Sequence, residues 1–236
     1  MPVFWLPDNT LTFPHPELAN QDGILAMGGD LSPRRLLLAY QIGIFPWFNP
    51  DDPIIWWSPD PRFVLFPEEL KVAKSMRTYF NNPRFRLTLD QHFETIMRCC
   101  QNVYRKGQGG GTWITEDMVN GYCQLHKMGY AHSIEVWQDN QLVGGLYGIA
   151  LGKCFFGESM FSKVPNASKF GFISLVRKLQ KLGYQLIDCQ QPTQYLSSLG
   201  ARAIPRKEFL AILEKNRQFP TDISNWSDLL GRREEI

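Results

Sequence analysis

The most informative features of this sequence are, first, those that it lacks. No apolar run approaches the roughly 20 residues that a membrane-spanning helix needs, and the first residues lack the basic flank and apolar core of a secretory signal. The five cysteines form no Cys-x-x-Cys pair, which favours a reduced protein over a disulfide scaffold or a zinc site. We therefore expect a cytoplasmic protein with no membrane partner.

Several motifs of common enzyme classes are also missing. The formal net charge is only +2, so a nucleic-acid partner would need a local basic patch rather than a global field. The glycine-rich stretch 106–112 (KGQGGGT) lacks the Gly-Lys-Ser/Thr ending of a phosphate-binding loop. No Gly-x-Ser-x-Gly nucleophile elbow occurs. Nucleotide hydrolysis and serine-hydrolase chemistry are thus disfavoured.

The chain divides into two parts of different texture. Residues 1–62 are rich in proline, tryptophan and turn signals, with one predicted helix from Ser32 to Gln41. Ser32 suits the cap of that helix and Gly43 its end. We predict a small N-terminal domain over 1–62 and a larger domain over 63–236.

The larger part alternates between helix and strand patterns. Strands are predicted at 63–66, 84–89, 131–137, 141–151, 153–157, 184–190 and 201–204. Helices are predicted at 68–80, 91–100, 115–127, 166–182 and 205–215. This is an α+β pattern, and its run of three antiparallel strands, helix and strand resembles the GNAT superfamily of acyltransferases. The resemblance implies a GNAT-like domain.

One expected GNAT element is absent. Acyl-CoA enzymes of that superfamily hold pyrophosphate on backbone N–H groups at the start of the helix that follows the third strand. Here that interval, 157–171, contains no Gly-x-Gly, and Pro165 removes one donor. We therefore predict an acyl donor other than coenzyme A.

Two polar groups stand where buried apolar residues are expected. Glu158 lies among aromatic residues and methionine, so it needs a partner; this is either a structural cation such as Lys169 or Arg177, or a cationic ligand. The strand LIDCQ (186–190) ends with Asp188 and Gln190 two positions apart. Regular alternation would place both on one face, where they could position an amine or stabilise an oxyanion.

Aromatic residues are concentrated in FPWFNP (45–50) and WWSPDPR (56–62), and Trp113 follows the glycine-rich stretch. They can form the core of a proline-rich domain, or a wall on which a nucleobase stacks. The sequence leaves both readings open.

Ten short segments together resemble one family closely, the bacterial leucyl/phenylalanyl-tRNA–protein transferases of the N-end rule. They are GGDLSP (28–33), GIFPWF (43–48), WWSPDPR (56–62), GTWIT (111–115), HSIEVW (132–137), LVGGLYG (142–148), FGESMFS (156–162), NASK (166–169), LIDCQ (186–190) and SLGA (198–201). Each is weak alone, but the ordered set is specific. The family moves Leu or Phe, less often Met, from aminoacyl-tRNA to proteins that begin with Arg or Lys.

The resemblance implies roles for individual residues. Asp188 and Gln190 match the pair that assists catalysis. The substrate-binding positions of the family match Trp47, Trp113, Tyr122, Leu146, Phe155 and Glu158. Leu146 stands where the family often has Met, which keeps the pocket apolar. No cofactor and no metal are implied, and the partners are Leu-, Phe- or Met-tRNA and the acceptor protein.

A basic patch is the candidate tRNA contact. Its members are Lys71, Lys74, Arg77, Arg84 and Arg86. Helical spacing can gather the first three on one face, although a solvated helix face is the alternative. Two other functions fit fewer features: a GNAT-fold N-acyltransferase with an unusual donor, and a non-catalytic RNA-binding module.

Overall fold

The structure is a computed structural model that describes residues 3–81, 84–103 and 112–227. Its N-terminal part contains strands β1 (Phe4–Leu6), β2 (Ile24–Gly28), β3 (Phe45–Pro46) and β4 (Ile55–Trp57) and helix α1 (Pro33–Gln41). These strands form a four-stranded sheet in the order β1-β2-β4-β3. The predicted cap of α1 is confirmed, because the Ser32 side chain accepts a hydrogen bond from the Arg35 N–H.

The remaining strands form one seven-stranded sheet. They are β5 (Arg62–Leu65), β6 (Arg86–Leu89), β7 (Ala131–Gln138), β8 (Gln141–Leu151), β9 (Cys154–Ser162), β10 (Leu186–Gln190) and β11 (Arg202–Ile204). The sheet order is β11-β5-β10-β9-β8-β7-β6. The helices of this part are α2 (Lys74–Asn81), α3 (Phe93–Gln101), α4 (Glu116–Lys127), α5 (Ala167–Lys181), α6 (Gln194–Ser198) and α7 (Arg206–Asn216).

The predicted α+β order is confirmed. Strands β7, β8 and β9 are antiparallel, α5 follows, and β10 returns parallel to β9. The predicted helix over 68–80 is wrong in its first half, where a 3₁₀ turn at Pro67–Glu69 is followed by a short connection without regular structure before α2.

The large sheet separates two apolar cores. Consecutive residues of a strand enter different cores. Leu186 of β10 and Phe156 of β9 pack on one face with the N-terminal sheet, α1, α3, α4 and α7. Ile187 and Phe155 pack on the opposite face with α5. This alternation is what a sheet covered on both faces requires. The N-terminal part therefore shares a core with one face of the sheet.

Candidate active site

A cleft opens in the middle of the large sheet where two parallel strands separate. Pairing between β9 and β10 stops at Phe156 and Asp188. Just beyond this point each strand carries a β-bulge, with Glu158 as the extra residue of β9 against β8 and Cys189 as the extra residue of β10 against β5. Bulges redirect side chains and are frequent beside active sites. The cleft measures about 280 Å³.

Glu158 is one of the two carboxyl groups of the cleft, and it has three hydrogen-bond donors around it. It accepts from the Tyr40 hydroxyl at 2.7 Å, the Tyr122 hydroxyl at 3.1 Å and the Gln190 amide nitrogen at 2.7 Å. Burial raises its pKa to about 7, since the loss of hydration and the nearby charge of Asp188 outweigh these hydrogen bonds, which favour the carboxylate. Glu158 can therefore exchange a proton near neutral pH.

The predicted cationic partners of Glu158 lie elsewhere, so that interpretation is wrong. The Lys169 ammonium lies 5.3 Å from the centre of the Tyr195 ring, and the Arg177 guanidinium lies 4.5 Å from that of Phe80. The cation therefore remains to be supplied by a ligand, or the carboxyl group is neutral.

Asp188 has a strong partner that the sequence did not reveal. Its carboxylate accepts two hydrogen bonds from Arg62, from Nε at 2.8 Å and from Nη2 at 2.6 Å, and both side chains are buried. Oδ1 of Asp188, which accepts the hydrogen bond from Arg62 Nε, also accepts one from the Gln190 backbone N–H at 3.0 Å. Such a bidentate, charge-assisted pair fixes the carboxylate in both position and orientation.

Asp188 and Gln190 both line the cleft, as predicted. The reason given for this prediction, regular alternation of side chains along the strand, is wrong. Gln190 lies in the left-handed region at φ 62°, and Cys189 also lines the cleft. The bulge breaks the period of two, so the side chains follow the local backbone instead. The outcome is a Gln190 amide that reaches across the gap to Glu158.

The remainder of the cleft is aromatic and apolar. Trp47, directly after β3, and Trp113, in the segment before α4, line it. Its apolar residues from β8, β9 and α5 are Leu146, Met160 and Phe172. Trp47 is held in place, since the Trp57 indole donates to its carbonyl oxygen and the two rings lie 5.5 Å apart. The glycines before Trp113 fall within 104–111, a range outside the described residues.

Two predicted substrate-binding residues are set back from the cleft. The Phe155 ring is fully buried and packs 6.0 Å from the Trp226 ring. Tyr122 is also buried, and it reaches the cleft through its hydrogen bond to Glu158 and its ring contact with Tyr147, which lines the cleft. Both side chains therefore lie behind the residues that line the cleft.

The predicted tRNA residues are all exposed but do not share one helix. Lys74 and Arg77 lie on α2, three residues apart. Lys71 precedes that helix, and its N–H donates to the Leu199 carbonyl, so the helical spacing inferred for it is wrong. Arg84 lies just before β6 and Arg86 begins it, with the Arg86 guanidinium 5.4 Å from the centre of the Trp137 ring.

Two side chains that contact the site residues are not predicted from the sequence. Tyr40 is indistinguishable from an ordinary core position of the amphipathic helix α1. Arg62 stood at the end of a turn-rich segment, where an exposed charge is expected. The available signal was a charged residue directly before the apolar run FVLF (63–66), because a charge that begins a buried strand needs a buried counterion.

No helix among the described residues is long and apolar enough to cross a membrane.

Comparisons with known proteins give a consistent picture. The family model described as leucyl/phenylalanyl-tRNA protein transferase matches residues 64–214, and the model of the N-terminal domain of that family matches residues 29–60. A leucyl/phenylalanyl-tRNA–protein transferase of Syntrophus aciditrophicus is 53% identical over 217 residues, covering 92% of this chain and 90% of its own. One of Hahella chejuensis is 55% identical over 212 residues, covering 89% of each chain.

Solved structures show more distant likeness. A GCN5-related N-acetyltransferase from Kribbella flavida aligns with a TM-score of 0.38 at 9% identity, covering 71% of this chain and 59% of its own. The structure of L-PGS from Bacillus licheniformis aligns with a TM-score of 0.42 at 10% identity, covering 73% and 55%. The family model and the sequence relatives, by contrast, extend over most of the chain. This chain therefore belongs to the leucyl/phenylalanyl-tRNA–protein transferase family, and it is an aminoacyltransferase.

Proposed function

We propose that this enzyme transfers Leu or Phe, and less often Met, from aminoacyl-tRNA to the α-amino group of proteins that begin with Arg or Lys. The product would carry a new N-terminal residue that marks it for degradation by the N-end rule. The observation that supports this best is the cleft itself, whose aromatic and apolar walls end at the Glu158–Gln190 pair. Aminoacyl-tRNA as the donor supports our proposal that the reaction takes place in the cytoplasm.

The proposed reaction is acyl transfer from an ester to an amine. The acceptor nitrogen attacks the carbonyl carbon of the aminoacyl ester, a C–N bond forms, and the C–O bond to the terminal ribose breaks. The proton lost by the amine ends on the ribose oxygen. An ester is already activated, and an α-amino group has a reference pKa near 8, so positioning two reactants is the main requirement.

The described side chains suit these tasks. Trp47 and Trp113 offer ring faces for the terminal adenosine, and each stacked base is worth about 1–3 kcal/mol. Leu146, Met160 and Phe172 offer an apolar site for the transferred side chain. Such a site distinguishes poorly between Leu, Phe and Met, which are all apolar. Glu158 binds an amino group of a substrate. The Gln190 amide forms hydrogen bonds to polar substrate atoms where the peptide bond forms.

Both parts of the chain contribute to this cleft in the proposal. We retain the division into an N-terminal domain, 1–62, and a GNAT-like catalytic domain, 63–236. The first supplies Trp47 and, through α1, the Tyr40 hydroxyl. The second supplies Glu158, Asp188 and Gln190.

Labelled Leu supplied as Leu-tRNA should appear at the N-terminus of a peptide that begins with Arg. The matched control is the same peptide with an acetylated N-terminus, which has no amine and should stay unlabelled. Leucyl-CoA should not replace Leu-tRNA as donor. Equal labelling of peptides that begin with Arg and with Glu would contradict the proposed acceptor class, and labelling from leucyl-CoA would contradict the proposed donor.

Replacement of Lys74 and Arg77 by glutamine should weaken binding of tRNA and flatten its dependence on salt. Each lost phosphate contact lowers the slope of log affinity against log salt by about 0.7–0.9, so the pair should lower it by about 1.5. Filter binding between low and moderate salt measures the slope. Lys207 and Lys215, which are exposed on α7, provide the control pair. An unchanged slope in the Lys74 and Arg77 variant would remove α2 from the tRNA surface.

A further inference from the structure

Arg62 occupies an unusual place for a charged side chain. It is 1% exposed, and its guanidinium lies between two aromatic rings, 4.6 Å from the centre of Phe45 and 4.6 Å from that of Phe209. Phe45 belongs to β3 of the N-terminal sheet and Phe209 to α7. Aromatic faces attract a desolvated guanidinium. Arg62 is thus held between one ring from the N-terminal sheet and one ring from α7.

The clamped guanidinium presents its fork to a single carboxylate. Nε and Nη2 of Arg62 donate to the two oxygens of Asp188, which is 0% exposed. A lysine could supply the charge at this point but not the two parallel donors. Because Arg62 is fixed by the rings, it sets where the Asp188 carboxylate lies and how its plane is turned.

The carboxylate in turn fixes the backbone of the cleft residue. Asp188 Oδ1 accepts the Gln190 N–H at 3.0 Å, across the bulge at Cys189. Gln190 is held at φ 62°, a conformation that a side chain other than glycine adopts at a cost and keeps only when its surroundings enforce it. From this backbone the Gln190 amide reaches Glu158 at 2.7 Å.

We propose that Arg62 is a positioning residue for aminoacyl transfer, which acts through Asp188 and the Gln190 backbone to deliver the Gln190 amide to the reacting centre. Arg62 itself touches no substrate. The inference rests on the proposed function, because it assigns Gln190 to the centre at which the peptide bond forms. It also gives Asp188 a task that needs no proton transfer, since protonation would remove its charge from the pair with Arg62.

The test is a double-mutant cycle with R62K and Q190A. R62K keeps the charge but loses the fork, so we expect kcat with Leu-tRNA and the Arg-peptide to fall about tenfold or more, as small misplacements cost rate steeply. The KM for Leu-tRNA should stay within about twofold. In the Q190A background the same change should lower kcat by less than about twofold, because the group that Arg62 positions is gone.

A purely structural role would give a different pattern. R35K is the matched control, since Arg35 is also 1% exposed and paired with an aspartate, Asp30, at 3.2 Å. It should lower the melting temperature while leaving kcat per folded molecule within about twofold. If R62K behaves like R35K, or lowers kcat equally with and without Gln190, the proposal is overturned.

A second variant covers the case in which R62K does not fold. F209L removes one face of the clamp from α7, and we expect a smaller fall in kcat, about threefold, that again disappears in the Q190A background. An undiminished effect of F209L in that background would reject the proposal. A wild-type enzyme that transfers no Leu at all would instead contradict the proposed function, a result that is recognised before any variant is made.

Discussion

Replacing Asp188 by asparagine is expected to lower the free energy of unfolding by about 3–5 kcal/mol, because it leaves the Arg62 charge buried without its counterion. Asparagine has nearly the same shape as aspartate, so the substitution creates no cavity. The loss of stability therefore reports the cost of leaving the Arg62 charge without a counterion. Urea unfolding at neutral pH, followed by tryptophan fluorescence, gives the value. Asp51, which is exposed, provides the control, and its change to asparagine should cost no more than about 0.5 kcal/mol.

The same variant addresses the role of Asp188 in transfer. We expect D188N to lower kcat at saturating substrates by about a hundredfold, the cost of a displaced reacting group, while the KM for Leu-tRNA changes little. Near-normal kcat in folded D188N would exclude Asp188 as a general base and would show that its charge is not needed to organise Gln190. Loss of less than about 1 kcal/mol of stability would contradict a buried, charged pair.

The second large effect concerns Glu158 and pH. Its pKa is raised from the ordinary value of 4.5 to about 7, so the folded protein binds one proton more than the unfolded chain between these limits. Stability therefore falls as pH rises from about 4.5 to about 7 and is constant beyond. The shift corresponds to about 2–3 kcal/mol after allowance for the side chain's partial exposure in the cleft.

A count of protons explains why the neutral form suits this site. Tyr40, Tyr122 and Glu158 make three mutual oxygen contacts, including one of 2.5 Å between the hydroxyls. An ionised Glu158 leaves two hydroxyl protons for three contacts. The protonated carboxyl supplies the third proton by donating in one of its two tyrosine contacts instead of accepting there, so that each of the three contacts holds one proton.

The measurement is urea unfolding of wild type and E158Q at pH 5 and pH 8. The drop in stability between the two pH values should be smaller in E158Q by about 2–3 kcal/mol. Other titrating groups, including Glu135, whose pKa burial also raises, cancel in the comparison. E68Q alters an exposed carboxyl and should keep the wild-type pH dependence. A full pH dependence in E158Q would show that another group is responsible.

The sequence predicted those features that depend on local pattern. The cap of α1 at Ser32 and the boundaries of β8 follow from turn chemistry and alternation within a few residues. The bulges at Glu158 and Cys189 could not be read in this way, because they are set by register between strands distant in the chain. A period of two predicts a regular strand, and the cleft lies where the two strands depart from that regularity.

The chemistry of the site was predictable to the same degree. Glu158, Asp188 and Gln190 were conspicuous as polar residues in apolar surroundings. Their partners were not, since Arg62 lies 126 positions from Asp188 and Tyr40 lies 118 positions from Glu158. Pairings at such separation leave no local signal. For the same reason Lys169 and Arg177, which are nearer in the sequence, were the wrong partners for Glu158.

The aromatic clamp on Arg62 has a consequence for the order in which the chain is synthesised. Phe45 and Arg62 leave the ribosome well before Asp188, which is synthesised 126 positions after Arg62, and before Phe209, which follows later still. Until then the guanidinium has neither its counterion nor its second ring. Contacts between such distant residues also form slowly, because a long loop must close first. The nascent enzyme is thus expected to remain inactive on the ribosome until α7 has emerged.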